Sequence, residues 1–140
     1  MHYIAFTLIL IIIGIPTALW VMFGTVRNNV RVVENVSLLN YFGLVGLAMC
    51  PVIILNGGAL TSKGNPTQTL IHEQIHIEQQ RELLVLPYYL LYFLEYLVRR
   101  FRTTHSEAYR KISFEREAYE NENKKRYINK RPAFAWRNYF

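Results

Sequence analysis

Two histidines four residues apart, with a glutamate directly after the first, constrain this chain more than any other feature: His72-Glu73-Gln74-Ile75-His76. The pair can act together only on a helix. At about 100° per residue the two imidazoles lie within about 40° of each other, one turn apart, so both can reach one ion. Glu73 falls about 100° round from His72, beside such an ion rather than on it. From there its carboxylate can take a proton from an activated water and hand it to a leaving amine. The flanks support a helix. Asn65 followed by Pro66 reads as a cap and a first-turn proline, which predicts a helix from about Pro66 to about Leu84, stopping near Pro87. The bland alternative is a polar helix face that happens to carry two histidines.

Zinc suits such a pair, and a Zn²⁺ held by three protein ligands keeps a fourth position for water. His105, Glu115 and Glu117 are the candidates for the third ligand. They lie in a stretch that reads as a second helix, starting near Thr104 and running past Glu122. Drawn as one continuous helix, Glu115 falls inside the apolar arc of Ala108, Ile112, Ala118 and Tyr119, while Glu117 falls with Arg110 and Ser113 on the solvated side. An unpaired carboxylate facing a core costs several kcal/mol, so an inward Glu115 needs a cation. An ion pair with Lys111 is the rival explanation. It is worth only a few tenths of a kcal/mol and leaves the inward placement unexplained. Glu115 is therefore the expected ligand and Glu117 a surface charge.

His72-Glu-x-x-His76 with a later Glu115-x-x-Ala118 resembles the gluzincin class of zinc metallopeptidases. Within that class the pattern is similar to membrane-associated branches and to small bacterial or phage proteins with an HExxHxxQQ helix followed by an ExEA helix. The matching residues are His76-Ile-Glu-Gln79-Gln80 and Phe114-Glu-Arg-Glu-Ala118, and the resemblance spans roughly residues 67–122. It implies a two-helix site with His72, His76 and Glu115 as zinc ligands, Glu73 as base, and a peptide or protein as substrate. Family members usually carry Asp four residues after the ligand glutamate, where it supports a ligand histidine; this chain has Tyr119. That departure keeps a zinc-binding but inactive relative open as an alternative. Tyr109, Tyr119 and His105 are the nearest candidates for a group that stabilises a developing oxyanion.

Composition prunes other chemistries. All ten acidic residues are Glu, which removes Asp-based triads and EF-hand loops. One cysteine, Cys50, excludes an internal disulfide and a cysteine zinc cluster.

The apolar residues, 51% of the chain, concentrate in three runs. No charged side chain occurs from Tyr3 to Val26, and about twenty such residues span a bilayer as a helix. A membrane anchor over 1–26 is expected; a cleaved leader lacks the basic start and clean cleavage site it needs. Arg27 and Arg31 beyond the run place the rest of the chain on the cytoplasmic side. The second run, 35–62, carries Asn40, Pro51 and glycines and reads as a poor spanning helix; Pro51 to Leu55 looks like a strand entering a turn. The third, 83–98, is short and interrupted by Pro87 and Glu95. Because His72, His76 and Glu115 must meet, the chain between them cannot cross a membrane an odd number of times. That run therefore lies on or beside the membrane, or packs within the domain.

The expected architecture is mainly α: a minimal zincin-like two-helix metal site over 27–123, an N-terminal transmembrane helix, and a short strand or small sheet. The tail 124–140 mixes basic and aromatic residues. It is read as a strap held by Phe134, Trp136 and Phe140, or as a contact with anionic lipid, rather than as a nucleic-acid binder.

Overall fold

The computed structural model describes residues 25–27, 30–34, 39, 45–56 and 66–140. The expected spanning segment and the Asn65 cap lie outside them, apart from the last residues of the apolar run, which form a strand. The described part is mainly helical, with a small mixed sheet.

Four short strands make the sheet: β1 (Thr25–Arg27), β2 (Val30–Val33), β3 (Gly46–Met49) and β4 (Val52–Leu55). Their order is β1-β2-β4-β3, with β2 parallel to β4 and the other two pairings antiparallel. The second uncharged run thus contains a β-hairpin, turning at Cys50-Pro51 through a cis peptide bond. β4 is buried at all four residues, Val-Ile-Ile-Leu, because both faces of the sheet are covered. Ile53 and Leu55 pack with Val30, Val32 and Ile77 on one side; Val52 and Ile54 pack with Val33 and Leu39 on the other.

Ile77 belongs to α1 (Pro66–Leu83), which carries the paired histidines and ends where the sequence predicts. Leu84 then takes a positive φ of 64° and α2 (Val85–Arg100) begins. Pro87 accounts for the break. In a continuous helix its ring would meet the carbonyl of Leu83, whereas in the first turn of a new helix a proline is tolerated. Among the described residues no helix is long and apolar enough to cross a membrane. α2 folds back along the domain, turning Tyr88, Tyr92 and Tyr96 toward Phe114 and Ile112.

The expected single helix from Thr104 past Glu122 is two helices. α3 (His105–Arg110) starts at Thr104 with a reciprocal cap to Glu107. The chain then extends at Ile112 (ψ 133°) and restarts as α4 (Ser113–Asn121). Glu95 of α2 caps that restart, accepting from the Ser113 N–H at 2.8 Å and from its hydroxyl. The break resets the helical phase, and α4 is wedged between α1 and the C-terminal tail. Ser113 and Glu117, expected in solvent, are consequently buried, while Tyr119 is partly exposed.

The tail forms a short α5 (Tyr127–Lys130) and a 3-10 helix (Ala135–Tyr139). Trp136 packs on Phe114 with ring centroids 4.9 Å apart, and Arg131 points inward. Trp136 straps the tail down as expected; Phe134 and Phe140 stay exposed.

Candidate metal centre

α1 and α4 bring three side chains to one point. The Nε2 atoms of His72 and His76 stand 3.2 Å apart. The Glu115 carboxylate straddles them, Oε2 lying 3.4 Å from His72 Nε2 and Oε1 lying 3.4 Å from His76 Nε2. Taking one ligand atom from each residue, all three fall within 4.8 Å of one another, and all are buried. This is the set that the helix spacing and the apolar arc single out.

The other ring nitrogens fix what these atoms present. His72 Nδ1 lies 2.7 Å from Glu122 Oε2, and an ionised carboxylate only accepts, so Nδ1 carries the hydrogen. His76 Nδ1 lies 2.8 Å from Gln79 Oε1. The Gln79 amide is oriented by its own donor, which reaches Phe114 O at 3.1 Å and Glu117 Oε2 at 3.0 Å. Its oxygen must therefore face His76, whose hydrogen also sits on Nδ1. Both Nε2 lone pairs then point at each other and at a carboxylate. Such a cluster repels itself unless a cation joins it.

The distances leave room for a cation. Ligand bonds of about 2.0–2.1 Å in tetrahedral geometry set neighbouring donor atoms about 3.3 Å apart. Charge-assisted hydrogen bonds would instead close to about 2.7–2.9 Å. Separations of 3.2 and 3.4 Å, the latter from one Glu115 oxygen to each imidazole, are longer than such hydrogen bonds and leave room for an ion. Glu115 Oε1 accepts from the Tyr92 hydroxyl at 2.8 Å, whereas Oε2 is buried with no hydrogen-bond partner. A buried carboxylate that faces two imidazoles and leaves one oxygen without a hydrogen bond fits a divalent metal. The residues present can hold one.

Without a metal, protons take its place. Burial opposes the charged form of His72, but the carboxylates of Glu115, Glu122 and Glu73 outweigh it and push its pKa up to about 10. His76 is likewise raised despite its burial, chiefly by Glu115. Burial would raise Glu115, but the two imidazoles hold it well below the ordinary carboxylate range. Tyr88, Tyr92 and Tyr109 are raised, first by burial and then by the Glu115 charge, and so remain hydroxyl donors.

Glu73 lies against strand β3, accepting from the Ala48 N–H, and its pKa is raised by burial against the opposing pull of the histidines. Its carboxylate occupies the space a side chain at Gly46 would need: a Cβ there would stand 2.5 Å from Glu73 Oε1. Gln80 holds the same edge. It accepts from the Cys50 N–H at 2.7 Å and donates to Ala48 O at 3.0 Å, so one amide side chain pairs with two backbone groups that a further strand would otherwise take.

Three expectations about neighbouring residues change. Glu117 is no surface charge; it is fully buried and ion-paired with Arg131, which also meets Glu82. His105 is exposed and bonds Tyr96 at 2.9 Å, away from the cluster. Tyr119 does not support a ligand histidine through its hydroxyl. Its ring stands edge-on to His72 at 4.8 Å, under the Arg110 guanidinium, and Glu122 takes the supporting role. Sequence reasoning missed Glu122 and the orienting role of Gln79. Both left a signal: Glu122 falls two helical turns after Glu115, and Gln79 continues the His72–His76 stripe.

No family model matches the chain, and no curated protein and no solved structure is similar to it at a significant level.

Proposed function

We propose that this protein is a zinc-dependent peptidase, with His72, His76 and Glu115 as ligands and Glu73 as general base. The observation that carries the reading is the buried Glu115 carboxylate, with one oxygen 3.4 Å from each imidazole Nε2 and with Oε2 making no hydrogen bond. Zinc bound there would lower the pKa of a coordinated water and polarise the carbonyl of a peptide bond. Glu73, directly after the first ligand, is placed to accept a proton from the attacking water and return it to the leaving amine. Ala48 and the tight fit over Gly46 hold the carboxylate in one position. Glu122 and Gln79 keep both Nε2 atoms free to ligate. The apolar run 3–26 supports a membrane-anchored protein with its site on the cytoplasmic side, acting on peptides near the lipid surface.

The test is cleavage of an unstructured peptide library by the zinc-loaded full chain, read by mass spectrometry. Wild type should generate new termini, a chelator should stop it, and Glu73→Gln should lose it while retaining zinc. Equal cleavage by wild type and Glu73→Gln, or none by zinc-loaded wild type, would overturn the peptidase reading.

A further inference from the structure

α2 is built inside out. Its inward face carries its polar groups: the hydroxyls of Tyr88 and Tyr92 reach His76 and Glu115, and the Glu95 carboxylate caps α4. Its outward face is apolar without interruption. Leu86, Leu90, Phe93 and Phe101 are 76%, 60%, 54% and 88% exposed, and Leu94 and Val98 lie among them. At about 100° per residue these side chains cover an arc of roughly 140°, as wide as the face a soluble helix normally turns to its core. A groove of about 390 Å³ continues the arc, lined by Leu91, Leu94 and Val98 of α2 with Trp136 and Phe140 of the tail, and edged by the paired Glu95 and Arg99.

We infer that α2 is an interfacial helix whose outward face lies in the hydrocarbon of a membrane with anionic headgroups. Three observations select lipid as the occupant. The first is chemistry: the arc offers no donor or acceptor side chain, whereas a protein interface carries roughly one hydrogen bond per 100–200 Å² and a polar rim. The second is charge. Arg100 and Arg102, both exposed, stand at the C-terminal end of the arc and suit anionic headgroups. The third is delivery, since the uncharged residues 3–24 of the same chain are numerous enough to enter a bilayer and directly precede β1. Orientation follows from length. Sixteen residues make a rod of about 24 Å, shorter than the roughly 30 Å of hydrocarbon, and its ends lead into α1 and α3 of the same domain. The helix lies in the membrane plane. The inference does not rest on the metal site and holds whether or not that site binds zinc.

The test uses the full chain with Cys50→Ser and a single new cysteine, Leu90→Cys, carrying an environment-sensitive fluorophore. The protein is reconstituted in vesicles of phosphatidylcholine and phosphatidylglycerol. Phe101→Cys repeats the measurement where a label can disturb packing least, and Glu120→Cys, at an exposed position of α4, serves as the reference. Nitroxide on the lipid acyl chains should quench the Leu90 and Phe101 labels several-fold more than the Glu120 label, and aqueous iodide should do the reverse. Quenching of Leu90 and Phe101 by iodide would place the face in water and overturn the proposal. Shielding from both quenchers would overturn it too, in favour of a protein cover: a second copy, or the chain's own segment 1–24.

Discussion

Glu122 Oε2 lies 2.7 Å from His72 Nδ1, and the same carboxylate takes the Gln68 amide on its other oxygen at 2.7 Å. A carboxylate in that position fixes the imidazole tautomer and raises its basicity toward a metal. Glu122→Gln should weaken zinc binding by about 10–100-fold without unfolding the chain, as read by competition with a chromophoric chelator. Tyr119→Phe should change it little. If Tyr119→Phe weakens zinc binding and Glu122→Gln does not, the support of His72 has been assigned to the wrong residue.

The fit between Gly46 and Glu73 gives a second prediction. A methyl group at Gly46 would meet Glu73 Oε1 at 2.5 Å and the carboxylate would have to move. Gly46→Ala should keep the full zinc content and lose most of the turnover, at a cost of about 1–3 kcal/mol of stability from overpacking. Parallel zinc analysis, urea denaturation and cleavage assays check this. Unchanged turnover would mean the position of Glu73 is unimportant.

Arg131 is buried between Glu82 and Glu117, its side chain 4% exposed and that of Glu117 fully buried. Removing the cation leaves an uncompensated carboxylate inside the domain. Arg131→Ala should therefore destabilise the protein by about 3–5 kcal/mol in urea denaturation. A loss below about 1 kcal/mol, the range of exposed pairs, would show that the ion pair is solvated in solution.

These sites show what local pattern can and cannot reveal. The His72–His76 spacing, the Asn-Pro start and the Pro87 stop are local, and they place α1 nearly to the residue. The short strand expected before Asn56 is likewise found, as β4. Glu115 was reachable because an inward carboxylate demands a partner. The burial of Glu117 was not, because it depends on a break at Ile112 and on Arg131, fourteen residues away, arriving from the tail. Glu95 capping α4 and Gln80 pairing with β3 are also long-range. Composition and periodicity carry no information about which distant backbone group a side chain will meet.

The metal-free protein should titrate in a characteristic direction. His72 is raised from 6.5 to about 10, burial being outweighed by Glu115 and Glu122. A raised folded-state pKa contributes stability that is complete below pH 6.5 and is lost as pH rises through about 10. Zinc must expel that proton, so binding near neutral pH should release protons and tighten as pH increases. Calorimetry in buffers of differing ionisation enthalpy reads the release directly. Zinc uptake without proton release would mean His72 is neutral before the metal arrives.

The central claim is that two helices converge on one metal, and elemental analysis of the purified full chain, prepared without chelators, tests it most directly. Wild type should carry about one zinc per chain. His72→Ala and Glu115→Ala should lose it, while Glu120→Ala, altering an exposed glutamate on the same helix as Glu115, should retain it. A metal-free wild type that also fails to take up added zinc, or a Glu115→Ala variant that keeps a full equivalent, would contradict the account.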